Sequence, residues 1–135
     1  MWLSVSLLEW YFEAVFSSAP ELGIIGIMPK VGATALLTGV VFGLVERQRS
    51  LLLFVIPIVT AHVFVAAAGL FERSIAYPAD DGAVTVPFLL VQLAICTYLV
   101  FKTGRAGSLS LAIFALTYSW FAGFISAMAL TGDWL

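Results

Sequence analysis

Long apolar runs separate the charged clusters of this chain, and the clearest of them, Leu51 to Phe71, holds one ionisable side chain, His62. At ~1.5 Å rise per residue a helix over that run reaches about 30 Å, the thickness of a bilayer's hydrocarbon core. Val84 to Phe101 and Ser108 to Leu130 repeat the pattern, and Leu22 to Val45 precedes them. In hydrocarbon every backbone amide has to be paired within the protein, so only helices or a closed barrel can span, and runs of about 20 apolar residues select helices. The pattern predicts an all-α polytopic transmembrane helical bundle. It has four membrane helices (22–45, 51–71, 84–101 and 108–130) within a single integral membrane domain, 1–135. A further segment, 2–18, is an N-terminal amphipathic or fifth membrane helix.

The connectors consist of turn formers and charges: Ala19-Pro20-Glu21, Glu46 to Ser50, Glu72 to Ala83 and Lys102 to Gly107. Gly43-Leu44-Val45-Glu46-Arg47 is echoed by Gly69-Leu70-Phe71-Glu72-Arg73. Consecutive helices run in opposite directions, so the two Glu-Arg pairs fall at opposite surfaces, where charges end helices in any case.

In the first segment Ser6, Glu9, Glu13 and Ser17 recur at helical spacing and draw one polar stripe on an otherwise aromatic helix. Two placements follow. Lying flat keeps both carboxylates in water and uses Trp2, Trp10, Tyr11 and Phe12 as interfacial anchors. Crossing needs a counter-charge, and antiparallel geometry about Pro20 brings Lys30 to the depth of Tyr11, between Glu9 and Glu13. These three residues form a candidate intramembrane charge cluster. Pro29 suits the first turn of a helix better than its interior, so the second helix has an alternative start there, with Leu22 to Met28 as a surface loop.

Composition narrows the class. With 62% hydrophobic and 10% charged residues, and a mean hydropathy of +1.10, the chain lacks the polar surface to coat a soluble globule. The net charge of −2 sits at segment ends and forms no basic patch, which argues against nucleic acid as a partner. Cys96 is the one cysteine and lies inside an apolar run, so no intrachain disulfide or multi-cysteine metal site can form. The N-terminus has no basic region and carries Glu9 and Glu13 within its apolar stretch, so it reads as a retained segment rather than a cleaved leader.

Arg47, Arg49, Lys102 and Arg105 supply four of the six basic residues, and this places the loops at 46–50 and 102–107 in the cytoplasm. The acidic loop with Asp80 and Asp81 and the C-terminal tail with Asp133 then face outward, and the chain resides in the cell membrane.

Two stripes of small residues suit close helix packing: Gly32, Ala35, Gly39 and Gly43 on the second segment, and Ser108, Ala112, Ala115, Ser119, Ala122, Ser126 and Ala129 on the last. Lipid offers little hydrophobic drive between helices, so such faces let backbones approach and gain dispersion. They serve either packing within the bundle or an interface with a second copy or other membrane subunits.

Reflecting each hairpin about its loop brings His62, Gln92 and Tyr118 to one depth near the midplane, with Thr34 and Thr38 in the same layer. This layer is a candidate polar pathway or binding site, or else interhelical glue. No catalytic constellation, metal-ligand set or cofactor motif is present. The reading is therefore a non-enzymatic subunit or assembly partner of a membrane complex. A small oligomeric transporter or channel using the polar layer is the alternative, and a membrane enzyme acting on lipid or quinone is third.

Overall fold

A computed structural model describes residues 3–17, 23–72 and 81–131, and helices account for nearly all of them, with no strand among the described residues. The turn at 19–21, the loop residues Arg73 and Asp80 and the tail residue Asp133 lie outside the described residues, as do the side chains of Ser6, Glu72 and Asp81. The order is α1 (Leu3–Phe16), α2 (Gly23–Glu46), a 3-10 segment (Arg49–Phe54), α3 (Val55–Glu72), α4 (Asp81–Thr103) and α5 (Ala106–Thr131). Four helical stretches are long and apolar enough to cross a membrane: Ile25–Glu46, Arg49–Leu70, Ala83–Thr103 and Ala106–Thr131. With 14 residues, α1 reaches only about 21 Å.

The hub of the bundle is α5, which touches each of the other helices, while α3 and α4 meet each other sparingly. Its burial follows from its composition. Gly107, Ser108, Ala112, Ala115, Ser119, Ala122, Ser126 and Ala129 are all buried, and small side chains let three neighbours close on one helix. The α2–α5 approach is closest at Gly39, where an added Cβ would lie 2.8 Å from the Leu111 side chain.

α1 is built into this bundle. Leu7 and Tyr11 are fully buried against α5 and α3, whereas Glu9, Trp10, Phe12 and Glu13 are exposed. Tyr11 therefore does not serve as an interfacial anchor. The polar stripe itself dictates this, because carboxylates on one side of a helix turn Leu7 and Tyr11, four residues apart, to the other.

Pro29 does not start the second helix. α2 runs through it from Gly23, and the Pro29 ring is buried. The proline forgoes one i→i−4 bond, but the turns before and after it keep theirs, and neighbouring helices tolerate the local adjustment. Pro57 acts differently. It has no N–H to offer the carbonyl of Leu53, and the chain before it winds as a 3-10 helix. Leu51, Phe54 and Pro57 are buried at a spacing of three, as a 3-10 helix aligns them, and Ala61, Val65 and Ala68 continue at α spacing.

At one end of the bundle Arg47 closes α2 with φ +50°, and Gly104 closes α4 with φ +64° and its N–H on the Val100 carbonyl at 2.8 Å. A left-handed residue after the last turn is the usual way to satisfy orphan carbonyls. The exposed side chains of Arg47, Arg49, Lys102 and Arg105 gather at this same end.

Candidate functional site

His62 projects from α3 toward α5. Its Nδ1 lies 2.9 Å from the Ile58 carbonyl, and since a carbonyl only accepts, Nδ1 carries a proton there. In the neutral ring Nε2 then offers a lone pair, and the Tyr118 hydroxyl donates to it at 2.9 Å. The two rings stack with centroids 5.4 Å apart. Tyr118 is wholly buried and meets Tyr11 edge-on at 5.1 Å.

Tyr11 bonds in turn to Thr117, 3.1 Å between oxygens. The Thr117 hydroxyl already donates to the Phe114 carbonyl at 2.9 Å, so the Tyr11 hydroxyl is the donor in the pair. Gly32 makes room for this contact, because a Cβ there would overlap both the Tyr11 hydroxyl and Thr117 Oγ1. Phe114 and Phe121 complete the aromatic surround of Tyr11.

Gln92, 1% exposed, reaches across from α4 to α3, where its Nε2 donates to Thr60 Oγ1 at 2.7 Å. The Thr60 hydroxyl donates back into its own helix, to the Pro57 carbonyl at 2.9 Å and that of Ile56 at 3.1 Å. Gln92 Oε1 is buried without a side-chain or backbone partner among the described residues. Each chain of bonds ends on a backbone carbonyl, that of Ile58, Phe114 or Pro57. Chemically the arrangement ties α3 to α5, α1 to α5 and α3 to α4.

The other residues of the predicted layer lie elsewhere. Thr34 and Thr38 are exposed on α2 and turn their hydroxyls to the carbonyls of Lys30 and Thr34, at 2.9 and 2.8 Å. With Lys30, Val31, Ala35, Ser110 and Ile113 they line a groove of about 440 Å³ on the outside of the bundle between α2 and α5. Lys30 also lines a second groove, about 420 Å³, between α1 and α2 with Phe12, Val15, Phe16, Ala33 and Leu37. Glu9, Glu13 and Lys30 are all exposed, and among the described residues no ion pair joins either carboxylate to the ammonium.

Of the predicted packing residues, Gly32 and Gly39 approach α1 and α5 most closely, Ala35 packs at the core edge, and Gly43 abuts Leu51. Their α5 counterparts are buried along the hub. Among the described residues no three His, Cys, Asp or Glu side chains come together as metal ligands. Thr60 and Thr117 take part in the interior network without being singled out by the sequence, and so does Tyr11, for which the sequence offered an interfacial role instead. Tyr11 had a signal, its position opposite the Glu9–Glu13 stripe. The two threonines had none, since hydroxyls are common in apolar helices.

No protein-family model, curated protein or solved structure matches the chain.

Proposed function

We propose that this chain is a multi-pass protein of the cell membrane that works as a non-enzymatic subunit or assembly partner of a membrane complex. The observation that carries the reading is the outward placement of Glu9, Glu13, Lys30, Thr34 and Thr38 on helices whose other outward residues, among those described, are apolar. On insertion scales a charge at mid-helix costs about 2.5–3.5 kcal/mol, so a wall carrying such groups is matched to another protein surface rather than to lipid. The interior polar groups support the same reading, because His62, Tyr118, Tyr11, Thr117 and the Gln92 amide nitrogen bond to one another or to backbone.

The end bearing Arg47, Arg49, Lys102 and Arg105 is cytoplasmic on this reading, and the C-terminus lies outside. The test is the mass and composition of the intact particle, taken from its native membrane in mild detergent. A particle larger than one chain is the expected result. A lone chain retaining full stability would overturn the proposal.

A further inference from the structure

Lys30 and Glu13 occupy nearly one level of the bundle. On the antiparallel α1 and α2, Tyr11 and Gly32 meet at Thr117, which puts Glu13, two residues after Tyr11, and Lys30, two residues before Gly32, within about one helical turn in height. Both are exposed, Lys30 on the ridge of α2 between its α1 and α5 grooves, and within the chain they form no ion pair among the described residues. The exposed rings of Phe12 and Phe16 stand on the α1 side of the groove that Lys30 lines.

We infer that a second copy of this chain covers the α1–α2 face, with Glu13 of each copy paired to Lys30 of the other. The inference rests on the assembly reading above and names its partner. The reason is symmetry. Two copies inserted the same way are related by an axis along the membrane normal, and such an axis preserves height. A cation and an anion at equal height on one outward face are then brought together twice by a single two-fold rotation. Glu13 and Lys30 of one face complement Lys30 and Glu13 of the other, with Glu9 one turn away outside the two pairs, and the Phe12 and Phe16 rings of one copy enter the groove of the other. In lipid, where apolar surface alone drives little association, the reciprocal ion pairs supply both attraction and register. An acidic face alone, or a basic face alone, would have pointed to a different molecule.

Two differently tagged full-length copies, coexpressed and captured through one tag, test this. The wild-type copies co-purify. Lys30→Glu in both copies sets carboxylate against carboxylate, Glu13→Lys in both sets ammonium against ammonium, and either lowers capture by about tenfold or more. Mixing a Lys30→Glu copy with a Glu13→Lys copy restores both interchain pairs and returns capture to near the wild-type level. An intrachain pair cannot produce that rescue, because each mixed chain still carries two like charges. The milder Glu13→Gln and Lys30→Gln variants lower capture by a smaller factor and keep the test alive where a reversed charge prevents insertion.

Unchanged capture by the single reversals, or no rescue on mixing, overturns the self-pairing. A wild-type chain that captures no second copy but carries another protein in fixed ratio also overturns it while leaving the assembly reading standing. A wild-type chain recovered alone removes both.

Discussion

The Tyr118 hydroxyl lies 2.9 Å from Nε2 of His62, while Nδ1 of the same ring is engaged by the Ile58 carbonyl. Both ring nitrogens are thus used, one by each of two helices. This makes the imidazole a bridge between α3 and α5 whose tautomer is set by the backbone of its own helix.

Tyr118→Phe removes the donor and leaves Nε2 without its partner. The expected cost is about 0.6–1.5 kcal/mol, and His62→Ala made on top of Tyr118→Phe should cost less than in the wild type by roughly 0.6 kcal/mol. A double-mutant cycle on unfolding in detergent measures the coupling. Strictly additive effects would show that the contact contributes nothing.

Thr60→Val and Gln92→Leu break the same bond with unequal consequences. The valine strands the buried Gln92 amide nitrogen and should cost about 1–3 kcal/mol, whereas the leucine also removes the unpartnered Gln92 Oε1 and should stay within ~1 kcal/mol of wild type. Thermal unfolding of the two variants side by side decides it, and the reverse order would be incompatible with this geometry.

Gly32→Ala drives a Cβ into the Tyr11–Thr117 contact and should destabilise by about 1–3 kcal/mol, as overpacking does. Tyr11→Phe removes one of the overlapping oxygens, so the alanine should cost less in that background. Gly104→Ala meets no neighbour but has to hold φ +64°, and its cost of about 1 kcal/mol should be indifferent to residue 11. Stability measurements on the four combinations separate crowding from backbone strain.

Arg47→Cys and Arg105→Cys should both react with a membrane-impermeant maleimide added from the cytoplasmic side of inverted vesicles, and neither from the opposite side. Cys96 is 1% exposed and should stay unlabelled until the protein unfolds. Labelling of the two positions from opposite sides would contradict their shared end of the bundle.

The long helices were legible because the length of an apolar run is a one-dimensional property. Even so, their ends extend beyond the runs, as Asp81 and Thr103 do around Val84 to Phe101. Depth was partly legible too, since hairpin reflection brought His62 and Tyr118 to one layer and they are bonded there. Direction was not. Thr34 and Thr38, expected in that layer, face outward, and Gln92 reaches Thr60, because reflection leaves rotation about the helix axis free. Pro29 misled in the other direction, since a proline suggests a boundary locally and the apolar surroundings that let α2 run through it are tertiary.

The place of α5 in the chain bears on how the protein is made. Its contacts bind α2, α3 and α4 together, yet residues 106–131 leave the ribosome after all the others described. Until they do, Gly39 has no Leu111 to receive and His62 no Tyr118 to accept from. On the membrane reading the earlier helices therefore enter the bilayer as a loose set, and the arrival of α5 converts that set into a packed bundle.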